Sequence, residues 1–129
     1  MNSLIAACLA FAALPAHPGE ERATTERQKI EVLIKHVEGL KDAVFVRNGS
    51  EYSAKNAAKF LRGKWDSNKA SIKTAKDFIE KAASESSTTG KPYLIRFKDG
   101  KETKSGVYLL AELKKLERAS EKKNEKKDA

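Results

Sequence analysis

Ile30, Leu33, Ile34 and Val37 recur at i, i+3, i+4 and i+7, the spacing that places apolar side chains on one face of a helix. Thr25 and Gln28 have the spacing of a capping box and Gly39 supplies a stop, so the pattern predicts a first helix over about 26–38. His36 falls off the apolar stripe and is expected to face solvent. The period then changes. Residues 42–53 read as a strand, an Asn48-Gly49 turn and a short return strand, because Asn-Gly tolerates the positive φ angles of a two-residue hairpin loop. Ser53 is placed to cap a second helix over about 54–65, with Ala57, Ala58, Leu61 and Trp65 turned inward.

Residues 66–73 are polar apart from Ile72. Thr74 and Asp77 form a second capping box, opening a helix over about 75–84 whose core side is Phe78, Ile79, Ala82 and Ala83. The hydroxyl-rich run 84–90 ends it, since side-chain oxygens compete for backbone hydrogen bonds and Gly90 accepts a left-handed conformation. Residues 93–97 form an apolar strand that residues 98–101 turn back. Ser105 then caps a fourth helix over about 106–117, where Leu109, Leu113 and Leu116 share a face that Leu110 widens. The order α-ββ-α-α-ββ-α predicts an α+β fold: a small antiparallel sheet from two hairpins packed against about four helices, with 44–47 and 93–97 as the inner, more apolar strands.

The chain begins with a different kind of segment. Residues 4–14 are uncharged and apolar, and Pro15, Ala16 and His17 lead into the charged run from Glu20, which is the pattern of a secretory signal peptide. Such a run is about half the length needed to span a bilayer. We expect a signal peptide over residues 1–16 with cleavage between 16 and 23, a flexible stretch at 17–24, one domain at 25–117, and a charged tail at 118–129 that frays or is disordered. This makes the protein an exported one, periplasmic or extracellular; Cys8 stands at the front of the apolar run, where lipoprotein modification is not expected. Because Cys8 is the sole cysteine, the processed chain would be stabilised by packing alone, without disulfides.

The 129 residues carry 26 Lys+Arg against 18 Asp+Glu, a formal charge of +8, and the surplus is not confined to the tail. A basic exported protein is drawn to anionic envelope components or acidic proteins. Catalytic motifs are scarce: two histidines and one cysteine supply too few parts for a zinc site or a Ser-His-Asp relay, and Gly90-Lys91 lacks the remainder of a phosphate-binding loop. No metal, cofactor or catalytic residue is assigned. Between Lys55 and Lys76 lie seven basic residues and one acidic one, and Lys55, Lys59 and Arg62 form a stripe on the second helix. Long cationic stems on that helix would also shield Phe60 and Trp65. With nine aromatic residues, several of them core, the chain lacks the stacking platform of a single-strand nucleic-acid binder, and sequence-specific nucleic-acid recognition is not expected. On the strands, Phe45 shares a face with Arg47 and Leu94 shares a face with Arg96; were those faces the same, two guanidinium groups would meet beside the 84–90 loop and could hold a carboxylate or phosphate.

The ordered string Phe45-Val46-Arg47-Asn48-Gly49, Tyr52, Ala57-Ala58, Leu61-Arg62, Lys64, Thr74-Ala75, Phe78-Ile79, Ala83-Ser84, Ser86-Ser87 and Gly90-Lys91-Pro92-Tyr93 resembles the YfeK-like family of small exported bacterial proteins, DUF5329. The resemblance covers about residues 25–117. It implies bacterial origin, export and one compact domain, and it brings no established activity. Where that family commonly carries His before Leu-Arg on the second helix, this chain has Phe60, which further implies a non-catalytic helix here.

Together these readings give a non-catalytic binding or accessory module of the cell envelope. Its candidate site for an anionic partner comprises Arg47, Asn48, Tyr52, Arg62, Lys64, Ser86, Ser87, Gly90, Tyr93 and Arg96. The alternative is a small envelope hydrolase or transferase using a Ser or Thr hydroxyl, such as Ser86 or Ser87, with a carboxylate such as Asp77.

Overall fold

The computed structural model describes residues 18–128, with side chains described for 25–122. The predicted leader lies outside the described residues. The elements run α1 (Pro18–Gly39), β1 (Val44–Arg47), β2 (Ser50–Ser53), α2 (Ala54–Ser67), α3 (Ala75–Ala82), β3 (Leu94–Arg96), β4 (Glu102–Lys104) and α4 (Ser105–Asp128). The fold is α+β in the predicted order, and the sheet is antiparallel with strand order β2-β1-β3-β4. The two more apolar strands are the inner ones.

Both terminal helices exceed their predicted bounds. α1 starts at Pro18, whose missing N–H costs nothing at a first helical position, so Thr25 lies inside the helix. α4 runs through the charged tail to Asp128, because no Gly or Pro follows Gly106 and Ala, Glu and Lys are good helix formers. α3, by contrast, stops at Ala82, and the Ser84 hydroxyl donates to the Ile79 carbonyl at 2.6 Å, the competition that hydroxyl residues bring to a helix end.

Turn and cap chemistry sets the remaining boundaries. Asn48 (φ 51°) and Gly49 (φ 80°) form the two-residue loop between Arg47 and Ser50. The Ser53 hydroxyl accepts from the Asn56 N–H, and Thr74 and Asp77 complete a reciprocal capping box. A carboxylate from elsewhere in the chain adds to this: Glu26 of α1 accepts from the Ala75 N–H at 2.8 Å, while Lys29 bridges Glu26 and Glu117 and so ties α1 to α4. Burial works to lower the Lys29 pKa, and the bonds to Glu26 and Glu117 outweigh it, leaving the ammonium firmly charged.

The helices pack on one face of the sheet. Register places Tyr52, Phe45, Ile95 and Thr103 side by side on that face, and Val44, Val46, Leu94 and Arg96 on the other. Phe45 and Ile95 join Ile30, Leu33, Ile34 and Val37 of α1, Ala57, Ala58, Leu61 and Trp65 of α2, Phe78 and Ile79 of α3, and Leu109 and Leu113 of α4 in one core. Burial of each large apolar side chain is worth roughly 1.5–3 kcal/mol, so this cluster holds the four helices to the sheet. α1 packs against α2, α3 and α4.

His36 departs from expectation. Its side chain is half-buried between α1 and α4, with Nε2 2.7 Å from the Tyr108 hydroxyl and 3.8 Å from a Glu112 carboxylate oxygen. The polar edge of α4 gives it a partner that helical periodicity on α1 alone could not show.

Candidate functional site: a cationic and aromatic cleft between the sheet and α2

Arg47 ends β1 on the helix-facing side of the sheet, two residues beyond Phe45, and Phe60 and Lys64 occupy successive turns of α2. These elements converge. The Arg47 guanidinium carbon is 4.6 Å from the Phe60 ring centroid, and the Lys64 ammonium is 5.6 Å from the same centroid and 5.2 Å from that of Tyr93. Lys64 donates to the Tyr93 hydroxyl at 3.1 Å, and Phe60 and Tyr93 meet edge-to-face at 5.8 Å. The Ser105 N–H donates to the Tyr93 carbonyl at 2.8 Å, which fixes the backbone carrying that ring.

The cluster borders a partly open cavity of about 50 Å³, walled by Phe45, Ala57, Phe60 and Leu61, with Arg47, Tyr52 and Tyr93 also lining it. Two cations sharing one aromatic ring repel each other, and the ring quadrupole offsets only part of this. Among the described residues neither Arg47 nor Lys64 has an ion pair. The Arg47 Nε–H is buried with no protein acceptor, a condition that costs on the order of 1–3 kcal/mol. The Tyr93 hydroxyl, set against burial, and then the Tyr52 hydroxyl push the Arg47 pKa up, so the guanidinium stays charged.

A hydroxyl and amide network lies beside Arg47 in the chain. Asn48 Nδ2 donates to Ser86 Oγ at 3.2 Å, and Thr89 Oγ1 donates to Asn48 Oδ1 at 2.6 Å. Ser86 Oγ also lies 3.0 Å from Thr88 Oγ1. Ser86 is 2% exposed, so this network buries the base of the 84–90 loop and pins it to the β1–β2 turn. Gly90 (φ 70°) makes the loop's left-handed bend, with its N–H donating to the Ser86 carbonyl, and Ser87 is exposed on the same loop.

Of the ten residues named from the sequence, Arg47, Tyr52, Lys64 and Tyr93 thus gather at the cleft, and Asn48, Ser86, Ser87 and Gly90 belong to the adjoining turn and loop. The other two lie elsewhere. Arg96 pairs with Val44 in register and lies on the opposite face of the sheet from Arg47, bound to Glu51 at 2.7 Å and Glu102 at 3.5 Å. Those carboxylates, Glu51 first, push its pKa up. Arg62 makes a two-point bond to Glu31 of α1 at 2.9 and 3.0 Å, which pushes the Glu31 pKa down. The basic stripe on α2 is therefore divided, with Lys55 and Arg62 lining a shallow groove that also holds Lys35, Lys41 and Glu38. Asp77 caps α3 and accepts from the Lys73 and Thr74 N–H groups, which lowers its pKa.

Phe60 is the residue the sequence reading missed. Its i, i+4 relation to Lys64 on α2 was the available signal; read as a shielded side chain, it is the surface on which both cations rest.

The family described as DUF5329, a family of unknown function, matches residues 24–117. The chain belongs to that family. It is 41% identical over 68 residues to the uncharacterised protein YfeK of Salmonella typhimurium strain LT2, across 53% of this chain and 57% of the relative. The chain thus spans a little over half the length of that curated relative. The matched family region contains the whole cleft and the loop network. No solved structure matches the chain. Among the described residues no helix is long and apolar enough to cross a membrane, and no cluster of His, Cys, Asp or Glu could hold a metal ion.

Proposed function

We propose that this protein is a binding module for an anionic partner in the bacterial envelope, acting through the Arg47–Phe60–Lys64–Tyr93 cleft. The observation that carries this reading is the contrast among its cations: Arg62 and Arg96 are neutralised by glutamates, whereas Arg47 and Lys64 converge on one ring without an ion pair among the described residues. An anion between them would relieve their repulsion and give the buried Nε–H an acceptor. A binding role also accords with Ser86, whose hydroxyl is held by Asn48 and Thr88, groups that are not general bases. Export is part of the same proposal and rests on the apolar run 4–14.

Amide NMR titration with sodium phosphate and sodium acetate at low and high sodium chloride tests the site. Shifts are expected at Arg47, Lys64 and Tyr93, weakening with salt, lost in Arg47→Gln/Lys64→Gln and kept in Arg96→Gln. Shifts that ignore the double substitution would remove the cleft from consideration. For export, N-terminal sequencing of the native protein should begin between residues 17 and 24, and an intact Met1 in the cytosol would refute it.

A further inference from the structure

We infer that the cleft is selective for a carboxylate bearing a short aliphatic group, with the acid at Arg47 and Lys64 and the aliphatic end among Phe45, Ala57 and Leu61. The inference rests on the anion-binding reading of the same site and narrows it to a ligand class. Three observations support the narrowing. The cavity behind the cations is walled mainly by carbon, so a fully hydrated anion such as phosphate would leave it unfilled. Its volume of about 50 Å³ compares with roughly 10–15 Å³ needed for a single water, so it admits about three or four heavy atoms and excludes a sugar ring or nucleobase. The Arg47 guanidinium rests 4.6 Å from the Phe60 ring centroid beside the Tyr93 and Tyr52 hydroxyls, with no carboxylate against it among the described residues, so its planar fork matches a planar two-oxygen group.

That chemistry has two sources: a free short-chain acid, or the C-terminal residue of a peptide whose last side chain is small and apolar. The test uses the folded chain and four probes followed by amide NMR: isobutyrate, isobutyramide, phosphate, and the peptide Gly-Gly-Val alongside its C-terminal amide. Isobutyrate is expected to give saturable shifts at Phe45, Ala57, Phe60 and Tyr93 and to bind at least about tenfold tighter than isobutyramide, the order of magnitude of one charge-assisted pair. Ala57→Leu, which fills the cavity, should cost at least about tenfold in isobutyrate affinity while phosphate still shifts Arg47 and Lys64. Should Ala57→Leu fail to fold, the smaller Ala57→Val still narrows the cavity and should weaken isobutyrate severalfold while phosphate still shifts Arg47 and Lys64. Tighter binding of Gly-Gly-Val than of isobutyrate, lost in its amide, assigns the cleft to peptide C-termini; the reverse order assigns it to free acids. Phosphate binding with no preference for isobutyrate would overturn the ligand class and leave the anion site standing. No response at the cleft to any anion would overturn both.

Discussion

The Arg47 guanidinium lies 4.6 Å from the centroid of the Phe60 ring, joining the end of β1 to the exposed edge of α2 through a cation–π contact. Such a contact at a partly exposed position is worth about 0.5–1 kcal/mol. A double-mutant cycle with Arg47→Gln and Phe60→Leu, read by urea unfolding, should return a coupling of about that size. Strict additivity would mean that the pair is juxtaposed without interacting.

Asn48 carries two duties that a pair of substitutions can separate. Its backbone has φ 51°, and its side chain bonds Ser86 and Thr89. Asn48→Gly keeps the turn and removes only the bonds, so it should cost about 1–2 kcal/mol and speed hydrogen exchange at Thr88, Thr89 and Gly90. Asn48→Ala should cost more, since alanine is disfavoured at positive φ. Equal losses for the two variants would show that backbone conformation contributes nothing at this position.

Gly106 opens α4 where a side chain has no room. A Cβ there would collide with the Ser84 Oγ and come within 3.1 Å of the Ser84 Cβ. Gly106→Ala should therefore lower stability by about 1–3 kcal/mol despite alanine's better helix propensity. Adding Ser84→Ala removes the closest clash and should restore part of that loss; a double variant no more stable than Gly106→Ala alone would contradict the steric account.

Acid should weaken the fold through two carboxylates. The Arg62 bond lowers the Glu31 pKa from 4.5, and the Lys73 and then Thr74 N–H groups lower that of Asp77 from 3.8. Because both folded values lie below the unfolded ones, each contribution is complete above the ordinary carboxylate pKa and is lost as pH falls through the lower folded value. Glu31 is substantially exposed, so its share is below about 1 kcal/mol. In thermal melts, the Tm gap between wild type and Glu31→Gln/Asp77→Asn should be constant above about pH 5 and narrow below it. A gap that widens in acid would reverse the assigned sign.

The elements were legible because their signals are local. The Asn48-Gly49 turn, the Ser53 cap and the Thr74–Asp77 box each involve residues at most three apart, and all three form as read. Distant partners were not legible: Glu26 reaches 49 residues along the chain to Ala75, and His36 finds Tyr108 on α4. The site was legible in part. Period-two alternation assigned Arg47 and Arg96 to strand faces, but whether those faces coincide depends on how β1 and β3 are registered. Val44 lies opposite Arg96, which separates the two arginines.

The amino-acid sequence by itself determined the periodicities, caps and turns, hence an α+β chain with two hairpins, its apolar core positions and its positive charge, because each arises from bonded neighbours or simple composition. Only the tertiary structure decided which cations are neutralised. Arg62 meets Glu31 and Arg96 meets Glu51 across 31 and 45 residues, while Arg47 and Lys64 meet an aromatic ring. A charge is free or spent according to what packing brings within a few ångströms of it, and strand register and helix rotation set those distances.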